Sequence, residues 1–147
     1  MQDTAYLLMV PNVCPDTPAL DYAPIMMYVA DGFLKPAPFQ PTVVVDVGDV
    51  FNEKVRMADC HKSQFYEWLP WIGRYQGSVP AGDEDRFKWL AGEVSKFDSP
   101  TAKRFQTEII ARYGKKQASA VKYIEAFEQS EYGGVLADEM IPAYFPF

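Results

Sequence analysis

The chain has 147 residues, a net charge of −6 and a hydrophobic fraction of 48%, which suits one domain with a substantial core. No apolar run approaches the ~20 residues that a membrane-spanning helix needs, and the beginning of the chain lacks the basic segment of a signal peptide. Lysine and arginine are scattered rather than gathered in a basic stripe. We therefore expect neither nucleic-acid binding nor a membrane span.

The thiols and the imidazole are too few for a structural zinc site. The sequence holds two cysteines, Cys14 and Cys60, and a single histidine, His61. Neither cysteine belongs to a CxxC pair, so a self-contained Cys/His zinc site is excluded. We expect both thiols to pack as small apolar residues, with a disulfide between them as the alternative. Unpaired cysteines favour a cytoplasmic location.

The first part of the chain, residues 1–50, is rich in proline and in β-branched residues. Residues 2–9 are predicted to be the end of a helix, which Pro11 stops. IMMYVA at 25–30 predicts a strand buried on both faces. TVVVDV at 42–47 is the strongest strand, because a continuous β-branched run without alternation is typical of a central parallel strand.

The second part, residues 51–132, is predicted to be helical, and the apolar tail 133–147 is expected to dock on the fold. The predicted helices are one that Asp49 caps and that runs to Gly73, one over 83–97, one from Ser99-Pro100 to Gly114, and one over 117–130 that Gly133-Gly134 ends. Strand, turn and helix in this order predict an α/β fold with few parallel strands and a helix-rich C-terminal region. Since two strands do not make a stable sheet, further strands must complete it.

Three polar residues around the single histidine form the first candidate site. If the helix after the valine strand continues without a break, Lys54, His61 and Gln64 lie on one side of it. A cation, an imidazole and an amide in a row suit a polar substrate. The alternative is an ordinary, partly exposed polar helix face.

For two acidic residues the sequence also leaves more than one role open. Asp46, at the end of the valine strand, lies where α/β proteins place functional groups, or it accepts hydrogen bonds from the free N–H groups of the next helix. Glu125 lies beside a predicted apolar stripe, where it pairs with a cation, reaches a cleft, or is an exposed helix acid.

A dense aromatic group, FYEWLPW, occupies residues 65–71. One interpretation is core packing under the long helix. The other is an exposed surface for sugar stacking or for a subunit contact, since tryptophan and tyrosine are favoured at interfaces.

The stretch VVVDVGDVFNEKVRMADCHKSQ, from Val43 to Gln64, resembles the end of the LmbE-like, or PIG-L-type, deacetylase domain. Members of that family carry a strand of the type vvvDi, a helix with a lysine, and then an H-x-S-Q motif. Here these are Val43 to Asp46, Lys54, and His61-Lys62-Ser63-Gln64. Segments on both sides are similar to one bacterial branch of the family, so the resemblance covers nearly all of the chain.

The resemblance implies a Rossmann-like α/β hydrolase that removes acetyl groups from N-acetylglucosamine-type or related amides with one zinc ion. The family's metal ligands and general base come from HPDD and HPDH motifs, and this chain contains neither. The resemblance therefore implies a partial domain, residues 1–147, whose metal motifs lie upstream of Met1. It assigns no catalytic residue and no metal ligand to this chain.

The residues that the resemblance and the pattern place on the substrate side of the cleft are Lys54, His61, Ser63, Gln64 and Glu125. An N-acetylated sugar is the expected partner of the complete domain. An incomplete sheet leaves an exposed edge, which together with the aromatic surface favours a homo-oligomer. The competing hypotheses are a non-catalytic relative of the family and an unrelated interaction domain, both without activity of their own.

Overall fold

The computed structural model describes residues 2–147, with side chains from residue 4 onward. The chain forms two compact units. The first comprises the chain up to Val45 together with Glu125–Phe147, and the second comprises Asp46–Ile124. Helices and a small three-stranded sheet make up the described part, so the predicted mixed α/β class is confirmed.

The three strands are β1 (Met27–Val29), β2 (Val43–Asp46) and β3 (Ile124–Gln129), and β3 lies in the middle of the sheet. β1 pairs antiparallel with β3, with Met27 opposite Gln129 and Val29 opposite Phe127. The β2 side is also antiparallel, since the N–H of Thr42 donates to the carbonyl of Phe127 (2.8 Å) and that of Val47 to the carbonyl of Tyr123 (3.0 Å). The expected pairing of parallel neighbours is therefore not found in this sheet.

The central strand β3 lies where a helix over 117–130 was predicted, and that prediction is wrong. Ile124 and Ala126 are buried while their neighbours are only partly buried, which is the period of two that a strand shows. Glutamate, alanine and glutamine are good helix formers. Here pairing with a strand on each side outweighs their preference.

The two predicted strands differ in burial. The valines of β2 are 1%, 3% and 6% exposed, so the prediction of a buried valine strand is confirmed. β1 was expected to be buried on both faces, yet its residues are only partly buried and Val29 is 60% exposed. The edge position does not explain this difference, because β2 is also an edge strand beside β3; the faces of β1 are simply less covered than those of β2.

The first unit also contains helix α1 (Gln2–Leu7), which the sequence predicts, and a C-terminal segment with a 3-10 turn at Asp138–Met140. Gly133 and Gly134 do not end a helix. Gly133 has a φ of 100°, and a Cβ at either glycine would collide with the backbone carbonyl of Pro24 or Ala23. These glycines therefore permit a close backbone approach.

The second unit is helical. Its elements are α2 (Phe51–Asp59), a π-helical turn (Ser63–Trp68), α3 (Leu69–Gly73), a 3-10 turn (Gln76–Ser78), α4 (Asp83–Arg104) and α5 (Gln106–Ala118). The chain ends with α6 (Ile141–Tyr144), which belongs to the first unit. No helix in the described residues is both long and apolar enough to cross a membrane.

Several predicted helix boundaries in the second unit are wrong, including the continuation of the first helix to Gly73, since α2 ends at Asp59. Asp49 does not cap α2, which begins at Phe51 without any side-chain cap. Ser99 and Pro100 do not begin a helix, because α4 continues through them to Arg104 and the Ser99 hydroxyl donates to the carbonyl of Ser95 (2.9 Å). The proline therefore lies in the interior of α4. An α-helix tolerates an interior proline only when the packing of the helix compensates for the lost hydrogen bond.

The core of the second unit forms where α2 meets α4. Val55 and Leu90 are fully buried and Val94 nearly so, and aromatic side chains from the same unit pack around them. Phe97, further along α4, is 64% exposed. The Lys54 ammonium and the Asp98 carboxylate lie 2.8 Å apart and join α2 to α4 beside this core.

Both cysteines are free and exposed, so the expectation that they pack as apolar residues is wrong. Cys14 lies in an exposed, proline-rich loop. Cys60 follows the end of α2, where its thiol donates to the carbonyl of Arg56 (3.4 Å). Neither position offers an apolar interior.

Candidate functional site

The H-x-S-Q motif lies at a break between two helical segments. α2 ends at Asp59, and the N–H of His61 donates to the carbonyl of Ala58 (2.9 Å). The N–H of Gln64 then donates back to the carbonyl of His61 (3.0 Å). The predicted row of Lys54, His61 and Gln64 on one helix is therefore not formed, because the helix is interrupted just before His61.

Ser63 and Gln64 begin the π-helical turn, in which the N–H of Leu69 donates to the carbonyl of Gln64, five residues back. Pro70 gives a physical reason for this wide turn. It has no N–H for the carbonyl of Tyr66, and its ring would collide with that carbonyl in a regular α-helix. The turn therefore widens before the proline, and π-helical turns occur often at functional sites.

An open depression of about 500 Å³ forms on this turn. We call it the tryptophan depression. It is lined by Ser63, Gln64, Glu67, Trp68, Trp71 and Gln76. The structure thus brings two of the predicted site residues together with four others from the π-helical turn, α3 and the 3-10 turn that follows.

The four polar side chains of the tryptophan depression are exposed. Within the part of the chain that the structure describes, Ser63, Gln64, Glu67 and Gln76 make no side-chain hydrogen bond or ion pair. Two amides, one hydroxyl and one carboxylate therefore have their donors and acceptors available to a ligand.

The side chains of the aromatic group at 65–71 fall into two sets, one for each of the two interpretations that the sequence leaves open. Phe65 and Tyr66 are partly buried and pack on the core of the second unit. Trp68 and Trp71 are 48% and 54% exposed and line the depression. The guanidinium of Arg74 lies 5.3 Å from the centre of the Trp71 ring, a cation–π contact that restrains this indole.

Lys54 and His61 do not line the tryptophan depression. Lys54 is held by Asp98, whose side chain is only 14% exposed, so its ammonium supports the packing of α2 on α4. His61 is exposed, and its imidazole makes no hydrogen bond to the described residues. It precedes the depression along the chain and remains available for a ligand or for another segment.

Asp46 and Glu125 are placed elsewhere. The Asp46 carboxylate accepts a hydrogen bond from the N–H of Gly48 (2.9 Å), and its own N–H donates to the Tyr113 hydroxyl (2.8 Å). With these contacts Asp46 holds the turn before α2; the donor Gly48 precedes the helix, so it is not one of the free helical N–H groups that the sequence-based alternative invokes. Glu125 lies on β3 in the first unit and is partly buried, so it is not the exposed helix acid of the sequence-based alternative.

Tyr66 fixes the position of the π-helical turn against its neighbours. Its hydroxyl donates to Asp59 Oδ1 (2.6 Å), and the Arg86 guanidinium lies 5.7 Å from its ring centre. Burial, the hydrogen bond to Asp59 and the charge of that carboxylate raise the pKa of Tyr66 well above the usual tyrosine value, and Arg86 opposes the increase.

The raised pKa of Tyr66 makes stability depend on pH at the alkaline end. Above about pH 10 the unfolded chain loses the Tyr66 proton while the folded chain retains it. The unfolded state then binds fewer protons, so the free energy of unfolding falls as the pH rises. Urea unfolding of the wild type and of Tyr66→Phe from about pH 9 to 12 should show a steeper decline in the wild type. Parallel curves would contradict this role of Tyr66.

The described residues do not fit a zinc site. No group of three or more histidine, cysteine, aspartate or glutamate side chains in residues 4–147 is arranged to hold a metal ion. A catalytic zinc requires three protein ligands. Any zinc that acts on a substrate at this chain would need ligands from other sequence.

No protein-family model, curated protein or solved structure matches this chain. The function is therefore inferred from the geometry of the site. The sequence pattern singles out Ser63, Gln64 and the aromatic group around Trp68, whereas Glu67 and Gln76 carry no sequence signal that would distinguish them from ordinary surface residues.

Proposed function

We propose that this chain is the C-terminal portion of a zinc-dependent N-deacetylase domain of the LmbE-like type, and that it supplies the substrate side of the cleft. The observation that carries the proposal is the position of Ser63 and Gln64. These two residues of the H-x-S-Q motif lie in the tryptophan depression with unused hydrogen-bonding groups. Their chemistry suits an amide-bearing sugar, which offers both donors and acceptors.

The proposed domain has a larger, Rossmann-like sheet in which β2 is an inner strand. The burial of all three β2 valines supports this proposal. β2 lies at one side of the three-stranded sheet, so further strands would pair along its outer edge. Its continuous valine run suits a strand covered on both faces and flanked by further strands.

The chemistry of the metal would come from outside this chain. The upstream motifs would hold the zinc, and the chemistry supplied there would be polarisation of the amide carbonyl and activation of water. Residues of this chain would bind and orient the sugar: Gln64 through its amide, Ser63 through its hydroxyl, and His61 from the exposed segment just before them. The Lys54–Asp98 ion pair would keep α2, which leads to this motif, fixed on α4.

The location and assembly of the protein belong to the same proposal. The two free thiols favour the reducing cytoplasm. A homo-oligomer through the sheet edge or through the exposed aromatic surface would cover apolar groups that the isolated chain leaves to water.

A second function, non-catalytic binding, is favoured by one specific observation. The tryptophan depression has the groups that bind a ligand, while the described residues hold no metal-binding cluster. A relative that keeps the binding surface without the reaction would look the same in this region.

Acetate release from N-acetylglucosamine with added zinc tests the proposal and separates the two functions. We expect no turnover by residues 1–147 alone, and turnover by a protein extended upstream through the zinc motifs, because only the longer protein holds three ligands. A chelator should abolish the turnover. Clear turnover by the 147 residues alone would contradict the proposal, and so would an upstream reading frame that lacks HPDD and HPDH-type motifs.

A further inference from the structure

We propose that the tryptophan depression is a subsite for a neutral pyranose ring, in which the indoles of Trp68 and Trp71 contact the ring and Gln64, Gln76 and Ser63 bind its hydroxyl groups. This inference deepens the proposed function and rests on it for the nature of the substrate. It adds residues outside the H-x-S-Q motif, and it makes a claim about binding that does not require the metal.

The shape and lining of the depression indicate a small ligand. It is an open depression with a volume of about 500 Å³, and its lining combines aromatic side chains with a few polar groups that can fix the orientation of a ligand. About half of each indole is exposed. Two indoles next to polar groups with unused hydrogen-bonding capacity offer a ligand both an apolar surface and polar partners.

The polar groups decide which class of ligand fits. Each glutamine amide offers N–H donors and a carbonyl acceptor, and the serine hydroxyl also offers both. Sugar hydroxyl groups donate and accept in the same way, so each can pair with these side chains. A purely anionic ligand would leave the amide carbonyls unused and would be repelled by Glu67, which lines the same depression.

A cationic ligand is the principal competitor, because tryptophans and a carboxylate also form sites for quaternary ammonium groups. Two observations favour the sugar. The Arg74 guanidinium already lies over the Trp71 ring and would repel a second cation there. In addition, Ser63, Gln64 and Gln76 all carry N–H or O–H donors. A quaternary ammonium group has no acceptor atom with which these donors can form hydrogen bonds.

Indole NMR signals allow the test to be made on the 147-residue chain itself. The chain has three tryptophans; Trp68 and Trp71 line the depression, and Trp89 packs against Tyr66 and Tyr75. Titration with N-acetylglucosamine should shift the Nε1–H signals of Trp68 and Trp71 and leave that of Trp89 unchanged. A ligand of this size at an open site should have a dissociation constant of about 1 mM.

Variants assign the binding to the depression. Trp68→Ala should weaken sugar binding roughly tenfold, because the indole supplies a large part of the apolar contact area, and Gln64→Ala should weaken it several-fold. Phe97→Ala is the matched control, because Phe97 is exposed in the same unit but does not line the depression; binding should not change. Circular dichroism would establish that each variant is folded.

Three results would overturn the inference: no shift of the Trp68 and Trp71 signals, unchanged sugar affinity in Trp68→Ala, or stronger binding of tetramethylammonium than of the sugar. Failure of the proposed function is distinguishable from these. Sugar binding without acetate release by the extended protein would refute the deacetylase function and support the subsite. Acetate release without indole shifts would refute the subsite and support the deacetylase function.

Discussion

Replacement of Leu90 by alanine is expected to lower the free energy of unfolding by about 2–5 kcal/mol. Leu90 is fully buried on α4 and forms the core of the second unit with Val55 and Val94. Truncation removes apolar contacts and leaves a cavity between α2 and α4, which aromatic neighbours cannot fill without shifting. Chemical denaturation followed by circular dichroism measures the loss.

Phe97→Ala is the control for this prediction, because Phe97 is on the same helix but is 64% exposed. It removes a larger side chain and should nevertheless change the stability by only about 0.5 kcal/mol or less. Equal losses for the two variants would mean that α4 does not pack on α2 through Leu90, and the assignment of the core would be wrong.

Much of the fold can be predicted from local pattern. The valine run at Val43–Asp46 and the apolar stripe on α4 give the correct element types, because both patterns are long or chemically uniform. The prediction failed at Ile124–Gln129, where helix-forming residues occupy a strand. That segment is determined by its two neighbours in the sheet, and both are distant in sequence, so no local signal reveals it.

The predictions of helix boundaries were wrong for a related reason. Ser99-Pro100 has the sequence of a helix start, yet α4 passes through it, because the packing of the same helix on both sides of the proline outweighs the local preference for a new start. Asp49 likewise has a capping side chain without capping contacts. Helix boundaries of this kind depend on tertiary contacts, which the local sequence does not reveal.

The candidate site was only partly visible in the sequence. The H-x-S-Q motif and the aromatic group point to this region, and Ser63, Gln64, Trp68 and Trp71 line one depression. Lys54 was expected in the same row, but α2 ends before His61 and Lys54 pairs with Asp98. The contribution of Gln76 follows only from the way in which α3 and the next turn fold back toward the π-helical turn.

Replacement of Gln64 by alanine in the extended, zinc-containing protein is expected to lower kcat/KM for acetate release about tenfold to a hundredfold. Loss of a hydrogen bond to a substrate group costs about 1–3 kcal/mol when the partner is left without a replacement. Since the Gln64 side chain makes no hydrogen bond within the described protein, the variant should fold normally, and the loss should lie in activity rather than in stability.

Gln106→Ala supplies the matched control. Gln106 is an exposed glutamine at the beginning of α5 in the same unit, and it does not line the depression. The same chemical change there should leave both kcat/KM and stability unchanged, which separates the role of this position from a general effect of amide removal.

The kcat/KM for acetate release by these two variants is the most direct measurement of the central claim, that the tryptophan depression is the substrate side of a deacetylase cleft. The claim predicts a loss of tenfold or more for Gln64→Ala and no loss for Gln106→Ala in an otherwise active extended protein. Equal kcat/KM values for Gln64→Ala, Gln106→Ala and the wild type would contradict it.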